Sequence, residues 1–276
     1  MGAQAECAST FYFDVQNMVT FPTSLHQQAA TVVLEQYRRD PRVEAVLVTN
    51  SCARGQATPA SDLDMLVLVE PGAFAAHQAE LEAAWLKLRG EHPVLRALGD
   101  ASRFSAIHLD FGDGQFPVPD AWDDGGGPDD FDLAIGNAVA YSAPLWERST
   151  FYTDLRARWL PFYAEPLRQE RLAMVLAACR YDLDFVPFYV ERRLYFQAFD
   201  RLYKAFREFL QGLFIARSTY ALAYNKWIRM QVVEWLGLPE LYAALPPILE
   251  ISNLESDQLV ERGARLATLA DRWLRP

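Results

Sequence analysis

The sequence is poor in the features that mark secreted, zinc-binding or membrane-embedded proteins. Its 276 residues include only three cysteines, widely spread and without a CxxC pair, which favours reduced thiols and argues against a zinc site. No apolar run reaches the ~18 residues that a membrane-spanning helix needs. The N-terminus lacks a basic start followed by an apolar segment, so we predict no signal peptide and expect a cytoplasmic protein.

Positive charge is also scarce, and this limits the kinds of binding partner that we expect. The formal net charge is −10, with a pI near 4.9, and only three of the 26 basic residues are lysines. A protein that grips a long nucleic acid normally presents a basic surface, so we expect neither DNA nor RNA as the main partner. An acidic balance fits a cationic small molecule, and it equally fits plain solubility.

Hydrophobic content and its periodicity predict the fold class. Hydrophobic residues make up 51% of the chain, enough for one large domain or two modest ones. The first half mixes helical spacing with short β-branched runs. These patterns predict helices over 25–39 and 74–90 and strands over 43–49, 63–70, 103–112 and 137–147.

A Gly-rich acidic loop over 120–132 interrupts this alternation, and from about residue 149 helical periodicity dominates up to a terminal helix over 259–274. Pro187 should kink or divide the first long helix of this part. We therefore predict an α+β protein. An α/β domain with a mixed sheet and flanking helices covers 1–148, and an all-helical domain covers 149–276.

Two aspartates stand at the entrance of the second predicted strand. Asp62 and Asp64 are two residues apart, so in an extended chain both carboxylates point to the same face. Such a pair resists desolvation unless a cation lies between the two groups. Paired hard oxygens suit Mg²⁺, and Asp110, at the end of the predicted third strand, is available as a third carboxylate.

The residues between the first two strands have the chemistry of a phosphate-binding turn. Ser51 follows the first strand and offers a hydroxyl, Arg54 adds a cationic donor, and Gly55 allows a tight turn. Together with the aspartates, this segment predicts a site for a metal–nucleoside triphosphate complex.

Residues 50–64, NSCARGQATPASDLD, resemble the signature of the polymerase-β-like nucleotidyltransferase superfamily, roughly G-S-x-A-R-G-x-A-x-x-S-D-x-D, with one extra residue in the loop. The chain departs from it at Asn50, where the family has glycine. Asn tolerates left-handed backbone better than most residues, so the turn can survive. In its two-domain size, the chain resembles aminoglycoside and lincosamide nucleotidyltransferases.

The resemblance implies Mg²⁺-dependent transfer of a nucleoside monophosphate, with two ions expected and ATP as the expected nucleotide. Asp62 and Asp64 would bind Mg²⁺ on the triphosphate, and Asp110 would join them and is the best candidate for the general base. The acceptor would be a small hydroxylated molecule, possible classes including aminoglycoside-like compounds. The segment around Lys226 loosely resembles small-molecule nucleotidyltransferases, and Lys226 and Lys204 are candidates for contacting the triphosphate.

Several alternatives stay open at this point. His108 either faces the site with Asp110 or is a satisfied core histidine, which is the commoner case, and the two lysines either bind phosphate or extend to the surface. Two other functions are compatible with the sequence: adenylylation of a protein, as in toxin–antitoxin modules, and non-catalytic nucleotide sensing. The acceptor, the preferred nucleotide base, the general base and the oligomeric state are not determined by the sequence.

Overall fold

The structure is a computed structural model, and it describes residues 19–101, 106–122 and 125–274. These residues form two compact units. We call the first the sheet unit, which comprises 19–101, 106–117 and 135–160, and the second the helical unit, which comprises 118–122, 125–134 and 161–274. Three predicted features lie outside the described residues: Cys7, the start of the third strand at 103–105, and Asp123–Asp124 of the acidic loop.

The predicted α+β class is confirmed. The strands are β1 (Val43–Val48), β2 (Leu63–Val69), β3 (Ile107–Gly112) and β4 (Ala143–Glu147). The helices are α1 (Ser24–Tyr37), α2 (Asn50–Ala53), α3 (Pro71–Glu91), α4 (Pro93–Gly99), α5 (Phe131–Ile135), α6 (Phe151–Trp159), α7 (Glu165–Glu191), α8 (Tyr195–Ala216), α9 (Pro239–Ala244), α10 (Pro246–Leu249) and α11 (Gln258–Trp273).

The four strands form one mixed sheet in the order β3-β2-β1-β4. β1 is antiparallel to both of its neighbours, whereas β2 and β3 are parallel. The central strands are rich in Val and Leu and are buried along almost their whole length, because helices of the sheet unit cover them. This arrangement leaves the polar residues at the strand ends as the ones that reach solvent.

Two predictions about local structure in the sheet unit are wrong. Helix α3 begins at Pro71, three residues before the predicted start at 74, because proline fits the first helical turn and the Glu70 carboxylate accepts the Gly72 N–H. The predicted strand over 137–147 is a strand only in its second half. Its first half is a π-helical turn, Gly136–Ala140, closed where the Tyr141 N–H donates to the Gly136 carbonyl.

The helical unit is built around two long helices that are consecutive in the chain, α7 and α8, and the terminal helix α11. The apolar faces of these three helices share one core. Pro187 does not divide α7, which continues for four more residues to Glu191. The segment 217–229, predicted as helical, is largely irregular. None of the described helices is both long enough and apolar enough to cross a membrane.

The compact units differ from the predicted domains at two segments. Residues 125–134 belong to the helical unit, because this loop bonds to α7 and α8 through its carboxylates and its backbone. Helix α6 belongs to the sheet unit, since Tyr152 and Ser142 hydrogen-bond one another at 2.8 Å and Arg156 donates to the Val139 carbonyl at 3.0 Å.

A glycine pair brings the acidic loop against two buried carboxylates. The Gly127 N–H donates to Glu208 Oε1 at 2.9 Å, and a Cβ atom at Gly126 would collide with the Asp182 carboxylate. Both glycines have positive φ, +81° and +101°, a conformation that favours glycine. Burial, and then the Asp182 charge, raise the pKa of Glu208 to about 7.

We expect Glu208→Gln to make the protein more stable at pH 8 and to have much less effect near pH 4. The folded-state pKa of Glu208 lies above the ordinary glutamate value, so its contribution to stability is complete below about pH 4.5 and is lost as the pH rises through about 7. The neutral amide can still accept the Gly127 N–H, and the gain at pH 8 should be on the order of 3 kcal/mol at most.

The measurement is urea unfolding of both proteins between pH 4 and pH 8. Glu191→Gln, which changes an exposed carboxylate at the end of α7, is the matched control and should leave the pH dependence as it is. A Glu208→Gln protein that loses stability at pH 8 would contradict the expectation.

Candidate functional site

The two aspartates of the motif lie where β2 begins. Asp62 and Asp64 are partly exposed and alternate with the fully buried Leu63 and Met65, so both carboxylates lie on the face opposite the core of this unit. Asp62 Oδ1 accepts the Ala106 N–H at 2.9 Å, which ties the carboxylate to the start of β3. Its other oxygen, Oδ2, lies 4.0 Å from His108 Nε2.

The parallel pairing of β2 with β3 decides which residues line this edge. Asp64 lies opposite His108, and Asp110 lies opposite Leu66, one same-face position further along the strand. Side chains two residues apart on a strand share a face, so His108 and Asp110 are on the side of the sheet that carries Asp64. Both act electrostatically on Asp64. We call Asp62, Asp64, His108 and Asp110 the carboxylate cluster.

The surroundings of Asp64 shift the pKa of its carboxyl group. Burial raises the pKa of its carboxyl group, and the charges of Asp62 and Asp110 act in the same direction. A hydrogen bond from the Asn50 side chain and the nearby His108 act in the opposite direction but are outweighed. Burial therefore disfavours the charged form of Asp64, and a bound cation would favour it.

The loop between β1 and β2 places the remaining motif residues at the same end of the strands. The Thr49 N–H donates to the Asp64 carbonyl at 3.0 Å, so Asn50 and Ser51 come immediately beside the aspartates. Asn50 has φ +52° and Gly55 has φ +67°, two left-handed residues that allow the chain to turn.

Arg54 follows α2 and lies beside Asp64. Burial lowers the pKa of its guanidinium, while Tyr141 and Asp64 raise it. Its Nε donates to Gln56 Oε1 at 3.2 Å. The site thus combines a carboxylate cluster with one arginine whose charge is poorly solvated and therefore acts strongly on its neighbours.

No group of three or more His, Cys, Asp and Glu side chains within 19–101, 106–122 and 125–274 is arranged so that it could hold a metal ion. The three-carboxylate set of Asp62, Asp64 and Asp110 therefore stays a prediction. Mg²⁺ in proteins commonly uses only one or two carboxylates and completes its shell with water and substrate phosphates. The donor chemistry of Asp62 and Asp64 fits that mode of binding.

The two predicted lysines lie in the helical unit. Lys204, on α8, donates to the Gly125 carbonyl and forms an ion pair with Asp200 at 2.8 Å. Lys226 is exposed and lies in the irregular segment before the second π-helical turn, Met230–Trp235.

This irregular segment is shaped by Gln231, which is fully buried. Its side chain accepts the Leu222 N–H at 2.7 Å and donates to the carbonyls of Ala223 and Lys226 at 3.0 and 2.9 Å. These bonds satisfy three backbone groups of the segment that would otherwise be satisfied within a helix. The segment is therefore irregular, although its sequence has helical periodicity.

Sequence reasoning left the role of His108 open, considered Asn50 only for the turn, and did not include Tyr141. His108 is not a core residue, since 55% of its side chain is exposed beside Asp62. The signal for His108 was present, because it lies two residues before Asp110, but its position opposite Asp64 depends on the strand register. Tyr141 is distant in sequence from Arg54 and had no signal at all.

A groove of about 710 Å³ lies elsewhere in the sheet unit. Its walls follow the C-terminal ends of β2 and β3 and include part of α6: Pro71, Asp113, Gly114, Gln115, Phe116, Pro117, Phe151, Asp154, Leu155 and Arg158. Asp62 and Asp64 stand at the start of β2, a seven-residue strand that spans about 23 Å. The groove is therefore separate from Asp62 and Asp64.

No protein-family model matches the sequence, and no curated protein matches it significantly. Among solved structures, the chain is similar to a nucleotidyltransferase-like protein from Exiguobacterium sibiricum. That similarity has a TM-score of 0.45 and 12% sequence identity, and it covers 90% of this chain and 76% of that chain. A similarity at this level does not indicate a function for this chain.

Proposed function

We propose that this protein is an Mg²⁺-dependent nucleotidyltransferase that moves a nucleoside monophosphate, AMP from ATP, onto a hydroxyl of a small cationic acceptor such as an aminoglycoside-like compound. The observation that carries the proposal is the partly buried Asp64 carboxyl group, whose pKa is raised by burial and, to a smaller extent, by the charges of Asp62 and Asp110. The charged form of Asp64 is disfavoured in the free protein, and a bound divalent cation would stabilise it.

The chain's own residues would bind and orient the reactants. Asp62 and Asp64 would hold Mg²⁺ on the triphosphate, and Asp110 would join them for a second ion. Bound Mg²⁺ would neutralise the charge that develops on the attacking and leaving oxygens. The Ser51 hydroxyl and the Arg54 guanidinium would contact phosphate oxygens, and the partial burial of Arg54 would strengthen its contact.

In the proposed reaction, Asp110 accepts the proton of the acceptor hydroxyl. The acceptor oxygen forms a bond to the α-phosphorus, and the bond from that phosphorus to the bridging oxygen breaks. Pyrophosphate leaves with the electron pair of the broken bond. Because the protein forms no covalent bond itself, its contribution is positioning and charge stabilisation.

The net charge of −10 is compatible with a cationic acceptor. An acidic surface raises the encounter rate of amino sugars, and salt weakens the effect. The motif residues contact the nucleotide in this proposal, so recognition of the acceptor must come from other side chains.

The decisive test is incubation of purified protein with ATP labelled at the α-phosphate, Mg²⁺ and a panel of aminoglycosides, lincosamides and cell-extract proteins. We expect label on a small molecule and release of pyrophosphate. Label on a protein band alone would favour protein adenylylation. Nucleotide binding without release of pyrophosphate would favour a sensor, and either result would overturn the proposal.

We expect Lys226→Ala to weaken nucleoside triphosphate binding more than acceptor binding. Loss of a charge-assisted contact costs roughly 1.5–3 kcal/mol, which corresponds to about a ten- to hundredfold weaker affinity. Calorimetric titration with a non-hydrolysable ATP analogue would measure this change. Lys87→Ala, which removes an exposed lysine of α3, is the matched control. Equal affinities of the wild type and Lys226→Ala for the ATP analogue would show that Lys226 does not contact the triphosphate.

A further inference from the structure

His26 is a buried polar side chain that contacts the segment leading into β2. It lies in the first turn of α1 and is 1% exposed, and both of its ring nitrogens have partners. Nε2 lies 3.0 Å from the carbonyl oxygen of Ser61, and Nδ1 lies 2.7 Å from Oγ1 of Thr23. The contact to Ser61 ties α1 to the residue immediately before Asp62.

The chemistry of the two partners fixes the orientation of the ring. A carbonyl oxygen can only accept, so Nε2 carries a proton and donates it to Ser61. Nδ1 of the neutral ring can then only accept, and its donor is the Thr23 hydroxyl. Oγ1 of Thr23 in turn accepts the His26 N–H at 3.3 Å, as the N-cap of α1. The cap of the helix therefore holds the same ring that holds Ser61.

The backbone is held on both sides of Asp62. After it, the Leu63 N–H donates to the Ala106 carbonyl at 2.9 Å, and Asp62 Oδ1 accepts the Ala106 N–H at 2.9 Å. Before it, the Ser61 carbonyl accepts from His26. That carbonyl shares a planar peptide unit with the Asp62 N–H, so the bond from His26 fixes the plane from which the Asp62 Cα extends.

We propose that His26 is a positioning residue whose ring, held by the Thr23 hydroxyl, fixes the Ser61–Asp62 peptide and thereby directs the Asp62 carboxylate toward a divalent cation. The inference rests on the proposed function, because that function supplies the cation. Removal of a hydrogen-bond partner in the outer shell of a metal site typically lowers metal affinity about ten- to a hundredfold. His26 acts through one peptide unit rather than on the carboxylate itself, so we expect about tenfold, the lower end of this range.

Two substitutions isolate the bond to Ser61. The amide nitrogen of glutamine reaches about as far from the backbone as Nε2 of histidine, so His26→Gln can keep a donor for the Ser61 carbonyl. The amide nitrogen of asparagine reaches only about as far as Nδ1, so His26→Asn loses this bond. We expect His26→Asn to bind metal about tenfold more weakly than the wild type, and His26→Gln to stay within about twofold of it.

Tyr37→Phe is the matched control. Tyr37 is buried on the same helix, and its hydroxyl donates to the Leu81 carbonyl at 3.3 Å. The substitution removes a buried bond from a side chain of α1 to a backbone carbonyl, as His26→Asn does, but it leaves the peptide before Asp62 in place. Tyr37→Phe should therefore lower the midpoint of thermal unfolding and leave metal affinity unchanged, whereas His26→Asn should lower both.

The readout is Mn²⁺ binding, measured by electron paramagnetic resonance in the presence of a non-hydrolysable ATP analogue. The temperature is one at which circular dichroism shows each variant to be folded, so a loss of stability alone does not change the measured affinity. The Mg²⁺ concentration for half-maximal transfer should also rise about tenfold in His26→Asn and stay unchanged in Tyr37→Phe.

The outcomes distinguish this inference from the function on which it rests. If His26→Asn binds Mn²⁺ as tightly as the wild type while Asp62→Asn does not, the positioning role is overturned and the metal site stands. Equal losses of affinity in His26→Gln and His26→Asn would also overturn the role, because the bond to Ser61 would then make no difference.

A second variant decides the case in which His26→Asn does not fold. Thr23→Val removes the hydroxyl that holds the ring, and weaker Mn²⁺ binding would support the positioning role, whereas unchanged binding would overturn it. If Asp62→Asn binds Mn²⁺ as tightly as the wild type, the metal site itself is wrong, and the proposed function and this inference are overturned together.

Discussion

Asp64→Asn is expected to lower the rate of nucleotide transfer roughly 100- to 1000-fold while the protein stays folded. The substitution removes the charge of one of the two carboxylates that would hold Mg²⁺, and loss of one preorganised electrostatic contact at a reacting centre typically costs a factor of this size. Asp62→Asn should have a comparable effect on the rate. The measurement is pyrophosphate release under saturating ATP and Mg²⁺.

The same substitution should raise stability at neutral pH. The pKa of Asp64 is raised in the folded protein, so its contribution to stability is present below the ordinary aspartate pKa and is lost as the pH rises through the folded-state value. Asn carries no charge and avoids this loss. Thermal unfolding without metal at pH 7.5 would test the direction of the change.

A matched control comes from the same unit. Asp100 is an exposed carboxylate after α4, and Asp100→Asn should change neither the rate nor the stability appreciably. A fully active Asp64→Asn protein would contradict the assignment of the metal-binding pair. An inactive and unfolded one would show that Asp64 is needed for the structure, which the repulsion from Asp62 and Asp110 does not predict.

Arg171→Ala should cause the largest loss of stability among the substitutions considered. Arg171, on α7, is 1% exposed and bonds to Asp129 at 2.7 and 2.8 Å and to Asp132 at 2.8 Å. Tyr163 and Gln211 also donate to Asp132, at 2.8 and 2.9 Å. Removing the guanidinium would leave two carboxylates without their cation, which typically costs about 3–5 kcal/mol.

Arg180 provides the control on the same helix. It pairs with Asp271 at 3.1 Å, but both side chains are more than half exposed, so Arg180→Ala should cost less than about 1 kcal/mol. Urea unfolding of both variants and of Arg171→Met, which keeps much of the side-chain volume, would measure the difference. Similar losses for Arg171→Ala and Arg180→Ala would contradict the expected dominance of the buried network.

The sequence by itself predicted the α+β class, most of the strands and the position of Asp62 and Asp64 at the start of β2. These features depend on local periodicity, because alternation along a strand determines which side chains share a face. The boundaries of α3 and the first half of the predicted fourth strand were wrong. The start of α3 at Pro71 depends on the Glu70 cap, and the π-helical turn at Gly136 depends on a carbonyl hydrogen bond. The spacing of apolar residues carries no information about either feature.

Only the tertiary structure decided which residues surround Asp64. His108 lies opposite it through the register of two parallel strands that are more than 40 residues apart in the chain, and a shift of one residue would have turned His108 to the other face. The buried Arg171 network likewise joins residues 42 positions apart. Such pairings are selected by the packing of whole elements, so no local pattern in the sequence contains them.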